Sequence, residues 1–301
     1  DGETDGAWRG LPATPAAVRT VVRHTAQGPA AARNAGAAVA TGDVLFFVDA
    51  DVVVRPDTVE RVRQRFQAEP TLAALVGSYD ATPGHPAFLS QYRNLLHHYT
   101  HQTAGPSVST FWTGCGAVRR GVFARLGGFD EGYGTPSVED IEFGYRLTAG
   151  GGRIALDRDL VVTHLKAWRP ADMIRTDTLR RAAPWTELIL RRGAMEDDLN
   201  VNWRGRLGVG SLGLAGASLA LAPLAPAAGL VVGGGAALVF AGANGPFYRY
   251  LAQSRGAGFA LRAVPWHVVY HVCAAVGFVV GAARFARRPA RPFPVAHADP
   301  V

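Results

Sequence analysis

An uncharged stretch from Leu207 to Ala243, rich in Leu, Val, Ala and Gly, constrains the fold of this chain more than any other feature. As one helix it would extend about 55 Å, whereas the hydrocarbon core of a bilayer is about 30 Å thick. We therefore expect a membrane hairpin, bent at Pro223 and Pro226 because proline interrupts a helix. The alternative is a pair of core helices in a soluble protein, and the length of the run argues against it.

A second apolar run, Ala263 to Ala283, predicts a further span. It begins with aromatic and histidine side chains and is followed by several arginines, which are typical anchors at a membrane surface. With the hairpin, residues 244–262 return to the cytoplasm and the final arginines lie outside, against the positive-inside tendency. A single tilted span in place of the hairpin stays open as an alternative. We place the membrane region at residues 207–290 and a tail at 291–301.

The composition agrees with a protein on the cytoplasmic side of a membrane. Hydrophobic residues make up 48% of the chain and charged residues only 18%, which excludes a disordered chain. The net charge of +7 comes from arginines spread along the sequence, with Lys166 as the only lysine, so it indicates a membrane surface and no nucleic-acid partner. Two distant cysteines, Cys115 and Cys273, exclude a disulfide framework and a cysteine metal site.

Residues 1–165 alternate between strand and helix patterns. The run Val44 to Val48 (VLFFV) is continuously apolar, as expected for a strand buried on both faces. Further strands are predicted at 18–23 and 72–79 and as two short strands around Asp157 within 153–164, and helices at 28–40, 57–66, 88–102 and 138–148. This alternation predicts an α/β domain with a mainly parallel sheet.

Residues 166–206 connect this domain to the membrane region. Pro170 to Arg192 combines apolar side chains with five arginines. That mixture is typical of helices that lie on lipid headgroups, and we expect an interfacial helix pair here.

Two carboxylates, Asp49 and Asp51, follow the VLFFV strand directly. Open α/β sheets place their ligand crevice at the carboxyl ends of strands. If the chain stays extended, both side chains point to the same side, where a divalent cation would offset their repulsion. Mg²⁺ or Mn²⁺ bound in this way completes its shell with water and substrate phosphates. Two alternatives remain: a turn capped by aspartates, and a phosphatase-type nucleophile, which would need a later lysine.

A second acidic pair, Glu139 and Asp140, begins a predicted helix after the glycine-rich stretch 128–137. The residues alone favour two interpretations equally. Acidic residues in the first turn stabilise a helix electrostatically. A carboxylate on the rim of a crevice can also act as a general base that deprotonates an acceptor hydroxyl.

Six short motifs, taken in order, resemble those of the family 2 glycosyltransferases with the GT-A fold, over residues 1–165. The order and spacing of the set are more specific than any single motif. The motifs are Asp1-Gly2-Glu3-Thr4-Asp5-Gly6; Ala32-Arg33-Asn34-Ala35-Gly36; Ala40-Thr41-Gly42-Asp43 leading into FFVDAD; Gly114-Cys115-Gly116-Ala117-Val118-Arg119-Arg120; Gly127-Gly128-Phe129-Asp130-Glu131; and Glu139-Asp140 with Arg146-Leu147. The membrane tail is similar to that of bacterial members of the family that are bound to the inner membrane.

The resemblance implies a Rossmann-like GT-A fold and a role for individual residues. Asp140 would be the catalytic base, and Asp51 and His164 would bind the Mg²⁺ or Mn²⁺ cofactor. Further residues would contact the two substrates: Asp1, Arg33, Asn34, Asp49 and Asp51 the nucleotide-sugar donor, and Trp112, Gly114, Cys115, Gly116 and Glu139 the acceptor. An Arg on a helix surface, a structural His after a strand and a small packing Cys are the simpler interpretations of Arg33, His164 and Cys115.

The resemblance also implies an activity. The expected reaction is metal-dependent sugar transfer, with inversion, from a nucleotide-diphosphate sugar to a lipid or saccharide acceptor at the cytoplasmic face of the membrane. The Gln-x-x-Arg-Trp motif of processive members is not matched by Arg180 to Trp185, which favours transfer of a single sugar. Family members begin with a strand, a helix and a second strand that precede the motif at Asp1, so we expect a segment upstream of this residue. The alternative function is a catalytically inactive membrane protein or assembly partner with the same fold.

Overall fold

The computed structural model describes residue 21, residues 25–287 and residue 293, and these divide into two compact units. The first unit comprises the described residues up to 77 together with 106–162, and the second comprises 78–105 and 163–293. Asp1 and nearly all of the strand predicted at 18–23 lie outside the described residues, as does the tail apart from Phe293.

The predicted alternation of strands and helices is confirmed between residues 29 and 164. The elements are α1 (Pro29–Val39), β1 (Val44–Val48), β2 (Val52–Val53), α2 (Thr58–Ala68), β3 (Ala74–Tyr79), α3 (Phe88–Thr103), β4 (Ser107–Val108), β5 (Cys115–Arg119), α4 (Arg120–Arg125), α5 (Glu139–Ala149) and β6 (Ile154–His164). Residues 153–164 were expected to form two short strands, but β6 is continuous. The Asp157 carboxylate accepts hydrogen bonds from the backbone N–H groups of Asp159 and Leu160, which satisfies both of these donors within the strand.

The strand order is β1-β5-β3-β6-β2, with β4 beside β6. β5 runs antiparallel to both of its neighbours, since Ala117 pairs with Phe46 of β1 and with Leu75 of β3. β3 and β6 run parallel, because the Ala74 N–H donates to Arg153 O at 3.1 Å and Gly77 packs on Leu160 farther along both strands. The α/β class is thus confirmed, but the sheet is mixed. The difference arises because β5, which the sequence patterns did not reveal, inserts antiparallel between β1 and β3.

A cluster of phenylalanine rings forms the core beneath the carboxyl end of β1. Phe47 of β1 lies 5.2 Å from Phe129 and 5.5 Å from Phe123 between ring centroids. Phe143 of α5 lies 5.1 Å from Phe129 and 5.4 Å from Phe111. These edge-on and tilted contacts fix α5 and the glycine-rich loop before it against the sheet.

The second unit is helical, and its first part corrects one expectation. In place of a helix pair, residues 170–192 form one continuous helical run: α6 (Pro170–Arg175), a π-helical segment (Thr176–Ala182) and α7 (Ala183–Arg192). Pro184 lies at the start of α7 and has no N–H to donate to the preceding turn. The π segment accommodates this missing hydrogen bond without ending the helix.

The next helices turn back at the predicted bend, but residues 244–262, expected to connect the hairpin to a further span, instead form the end of one long helix and the start of the next. α8 (Trp203–Leu221) and α9 (Pro226–Arg255) flank a bend at residues 222–225, which contains Pro223 and ends directly before Pro226. Gly229 allows close packing of the two helices, since a Cβ there would lie 3.0 Å from Ala222 Cα. α10 (Ala257–Arg287) follows Gly256, whose φ of 86° suits glycine and separates α10 from α9.

Two helices of the described chain, α9 and α10, are long and apolar enough to cross a membrane. The most apolar 18-residue window of each has a mean hydropathy of 1.7, and only 11% and 22% of these windows are buried. Leu230 and Leu238 of α9 are 78% and 75% exposed. Core helices of a soluble protein bury such side chains, so the exposed apolar surface fits a lipid environment.

Candidate active site

The candidate site lies in the first unit, where α1, the end of β1 and the start of α5 meet. Arg33 of α1 bridges the two acidic motifs: its Nη2 donates to Asp49 Oδ1 at 2.8 Å, and its Nη1 donates to Glu139 Oε1 at 2.7 Å. The side chains of Arg33 and Glu139 are 20% and 5% exposed. The structure therefore brings together a predicted donor-binding arginine, the first of the two aspartates that follow β1, and the first residue of the acidic pair that begins α5.

The chain turns sharply between Asp49 and Val52. The Val52 N–H donates to Asp49 O at 3.2 Å, and Asp51 lies within this turn. The extended conformation that would send both aspartates to the same side is therefore absent from these residues. The Asp49 carboxylate binds Arg33, and Asp51 is half-buried at the turn.

Asp140 lies in the first turn of α5, and backbone and hydroxyl groups hold its carboxylate. Its Oδ2 accepts from the N–H and the Oγ1 hydroxyl of Thr113, both at 3.3 Å. Burial, followed by the neighbouring Glu139 carboxylate, raises the pKa of Asp140 to about 7, although Arg33 acts in the opposite direction. A carboxylate with this pKa can accept a proton near neutral pH, as a general base must.

Glu139 is buried, and both of its carboxylate oxygens are engaged. Oε1 accepts from Arg33, and Oε2 accepts from the Ser137 N–H at 2.9 Å. These contacts orient Arg33 at the carboxyl end of β1. The acceptor contact assigned to Glu139 by the resemblance stays a prediction.

Asn34 holds the glycine-rich loop in place through hydrogen bonds. Its side-chain amide exchanges two hydrogen bonds of 2.9 Å with the backbone N–H and C=O of Phe129. Arg146 of α5 holds the same loop by donating to Gly128 O at 2.8 Å. Gly128 has a φ of 72°, and a Cβ there would lie 2.6 Å from Asn34 Oδ1, so the position requires glycine. The structure thus gives Asn34 and Arg146 a loop-positioning role, and the donor contact of Asn34 stays a prediction.

The predicted acceptor-side residues adjoin Asp140 through Thr113. The Trp112 indole lies across Gly114, where a Cβ would be 2.4 Å from the ring, and Gly116 packs equally closely on Trp112 O. Cys115 is fully buried, and burial raises the pKa of its thiol to about 12. A buried, protonated thiol packs as a small apolar group, in agreement with the simpler interpretation of Cys115.

His164 lies in the second unit, at the end of β6. Its ring stacks on Tyr79 with 4.2 Å between centroids. The metal-binding role predicted for His164 remains a prediction, as does the donor role of Asp1, which lies outside the described residues.

Sequence reasoning missed Thr113. Its contribution depends on the loop between β4 and β5 reaching α5, which the sequence does not encode locally. The available signal was a polar residue between Trp112 and Gly114, at the edge of the glycine-rich motif.

Residues 1–127 match the family model for glycosyl transferase family 2. This match covers about two fifths of the chain and supports a glycosyltransferase domain. The GT-A-like α/β fold expected from the six motifs is confirmed for the described part of this domain. Its sheet is mixed, whereas a mainly parallel sheet was expected.

Two curated relatives and one solved structure are similar to the chain. The relatives are pre-mycofactocin glycosyltransferases from two strains of Mycobacterium tuberculosis, each 29% identical over 158 residues. The match covers 48% of this chain and 32% of each relative, so the chain spans about a third of the length of these relatives. The solved structure is the mannosyltransferase PcManGT from Pyrobaculum calidifontis in complex with GDP-Man and Mn²⁺, with 17% identity, a TM-score of 0.43, and coverage of 86% of this chain and 67% of that one.

Proposed function

We propose that the protein transfers a single sugar from a nucleotide-diphosphate sugar to an acceptor hydroxyl, with inversion, at the cytoplasmic face of a bacterial membrane. The observation that carries this proposal is the environment of Asp140, whose carboxylate is held by Thr113 and has a pKa of about 7. The family 2 domain supports the reaction class. The two apolar helices α9 and α10 support a membrane location and an acceptor that is a lipid or a membrane-bound saccharide.

In the proposed reaction, Asp140 accepts the proton of the acceptor hydroxyl. The hydroxyl oxygen forms a bond to the anomeric carbon as the bond from that carbon to the donor diphosphate breaks. Because attack and departure occur on opposite faces, the anomeric configuration inverts. The two hydrogen bonds from Thr113 restrict the orientation of the Asp140 carboxylate. Trp112 precedes Thr113 in the chain, and we propose that its indole ring contacts the acceptor.

Arg33 links the donor and acceptor sides of the proposed site. Its bonds to Asp49 and Glu139 fix the end of β1 relative to the start of α5. We propose that Asp49 contacts the donor ribose and that Arg33 keeps this carboxylate in place. The positive charge of Arg33 also favours the diphosphate of the donor electrostatically.

The carboxylates at the end of β1 are suited to binding a hard divalent cation. Mg²⁺ and Mn²⁺ prefer carboxylate oxygens and bind through one or two protein carboxylates with substrate phosphates. Asp51, which is half-buried at the turn after β1, is the carboxylate that would hold the ion. In the part of the chain that the structure describes, no three His, Cys, Asp or Glu side chains converge as a ready metal site. When bound, the ion would supply Lewis-acid stabilisation of the departing diphosphate.

We expect Asp51→Asn to abolish Mn²⁺-dependent nucleotide binding, because an amide lacks the negative charge that a hard cation requires. The measurement is calorimetric titration with GDP and UDP, with Mn²⁺ and with EDTA. Asp43→Asn is the matched control, since Asp43 is exposed just before β1 and should leave binding unchanged. Equal nucleotide affinity of Asp51→Asn and the unaltered protein in Mn²⁺ would refute the assignment.

We also expect kcat/KM for sugar transfer to rise with pH as Asp140 loses its proton, with an apparent pKa near 7. A base with an ordinary carboxyl pKa would give a constant rate across this range. The test is the pH dependence of nucleoside diphosphate release between about pH 5.5 and pH 8.5. A rate that does not change with pH in this interval contradicts the proposed base.

A further inference from the structure

A buried cluster in the second unit contains more positive than negative charge. Arg93 of α3 and Arg181 of the π-helical segment share one carboxylate, that of Asp177, with Nη2 to Oδ1 distances of 2.6 and 3.8 Å. The side chains of Arg93, Arg181 and Asp177 are 12%, 24% and 4% exposed. Two guanidinium groups therefore face one carboxylate in a poorly hydrated environment, which leaves one positive charge uncompensated.

Aromatic side chains enclose the two guanidinium groups. The Tyr270 ring lies 5.5 Å from Arg93 Cζ and 5.1 Å from Arg181 Cζ, measured to the ring centroid. Trp168 lies 5.9 Å from Arg93 and also contacts the ammonium of Lys166, at 4.7 Å.

Two donors of this cluster have no hydrogen-bond partner among the described residues. They are the hydroxyl of Tyr92, which is fully buried, and the buried Nε1 of Trp168. The Tyr92 ring lies 6.4 Å from that of His267, which lies 5.8 Å from the Tyr270 ring of the cluster. Burial raises the pKa of Tyr92 well above its ordinary value, so the hydroxyl keeps its proton and remains a donor.

His97 interacts electrostatically with both arginines but adds no further positive charge. Burial, then His101, Arg93, His164 and Arg181, lower the pKa of His97 well below its ordinary value, so this ring is neutral. Among the described residues, Asp177 is the carboxylate that pairs with the two arginines.

Uncompensated buried charge and buried donors without partners are both costly, and native proteins seldom keep them without a ligand or a function. An anion with several oxygens would satisfy both. Paired arginines are the side chains best suited to bind phosphate oxygens, and a tyrosine hydroxyl and an indole N–H add single donors.

We propose that Arg93, Arg181 and Tyr92, with Trp168 at the edge, form a binding site for a phosphate monoester group. The partial exposure of Arg181 leaves a route for the group to enter. The group could belong to a lipid headgroup or to a soluble phosphate compound, and the chemistry of the site is the same for both. The inference does not depend on sugar transfer, since all of its residues belong to the second unit.

The test is thermal unfolding of the full chain in neutral detergent, titrated with inorganic phosphate or with short-chain phosphatidic acid. Chloride at matched ionic strength and short-chain phosphatidylcholine are the reference additives. We expect phosphatidic acid or phosphate to raise the Tm by about 3 °C or more at saturation. A rise with phosphatidic acid alone identifies a lipid headgroup, and an equal rise with both identifies a free phosphate group.

Three variants show whether the cluster is responsible. Arg181→Gln should abolish the shift, whereas Arg180→Gln, an exposed neighbour in the same helical turn, should retain it. Tyr92→Phe removes only the hydroxyl, so it should lower the affinity for the anion roughly tenfold. The Tm without ligand should stay unchanged or rise. The ligand-free Tm separates this result from a purely structural hydroxyl, whose removal would lower it.

Two results would overturn the proposal: no shift of the unaltered protein with either anion, or an unchanged anion response in Tyr92→Phe. The tyrosine variant keeps both arginines and Asp177. It therefore decides the question even if Arg181→Gln fails to fold.

Discussion

Replacing Asp140 with asparagine should lower turnover by about 10²- to 10⁴-fold, which is the usual effect of removing a general base. Donor binding should change little, because the amide keeps the shape of the carboxylate and the donor contacts proposed for Arg33 and Asp49 remain. The measurement is kcat and KM for nucleoside diphosphate release, together with donor affinity by calorimetry. A loss confined to kcat is the expected pattern.

The same variant should be more stable than the unaltered protein at about pH 8. The folded-state pKa of Asp140 is raised from the ordinary 3.8 to about 7, so the folded protein binds this proton more tightly than the unfolded chain does. Stability from this group is fully present below the unfolded pKa and decreases as the pH rises towards 7. Asparagine carries no charge to bury, so Asp140→Asn avoids this loss, and its Tm at alkaline pH should be higher.

The two measurements together separate a catalytic role from a structural one. Asp172, an exposed acid in the first turn of α6, is the matched control. Asp172→Asn should leave turnover unchanged and lower stability by less than about 1 kcal/mol. Near-normal turnover of Asp140→Asn with a lowered Tm would mean that Asp140 is simply a helix-start acid.

Of the substitutions proposed, replacement of Arg33 with methionine should lower the free energy of unfolding most. Glu139 is buried, and without Arg33 its charge is uncompensated, at a cost of about 3 to 5 kcal/mol for a buried pair. The ion pair with Asp49 contributes less to this loss of stability, because Asp49 is 31% exposed and solvent screens its charge. Chemical denaturation at pH 7.5 should show the loss. Arg125→Met, at an exposed position on α4, should have little effect.

A second substitution tests the cause of that loss. Arg33→Met combined with Glu139→Gln removes the uncompensated charge and should recover much of the stability. Arg33 also lowers the pKa of Asp140, so Arg33→Met alone should shift the pH dependence of transfer to higher pH. No recovery in the double variant, together with an unshifted pH profile, would show that the Arg33 bridge is not what organises the site.

Local patterns were sufficient for the elements that frame the site. The apolar run Val44–Val48 predicted β1, the acidic pair at Glu139 predicted the start of α5, and the prolines at 223 and 226 predicted the hairpin bend. Each of these features depends on the chemistry of a few consecutive residues. Such chemistry can be recognised without knowledge of the rest of the fold.

Contacts between distant parts of the chain were not predictable in the same way. Arg33 bonds to residues that are 16 and 106 positions away, and Thr113 reaches Asp140 across 27 positions. The antiparallel placement of β5 follows from its pairing with both β1 and β3, and no local pattern specifies that pairing. The resemblance indicated which residues matter, whereas the structure shows that Arg33 joins them.

The most direct test of the proposed active site is consumption of sugar nucleotides by the protein in native membranes. A screen of GDP-, UDP- and dTDP-sugars, with acceptor lipids present, would measure release of the nucleoside diphosphate. We predict that at least one donor is consumed, that Asp140→Asn reduces this rate at least about 100-fold, and that Asp172→Asn retains it. Equal consumption by the unaltered protein and by Asp140→Asn, or no consumption of any donor, would contradict the assignment and favour an inactive assembly partner with this fold.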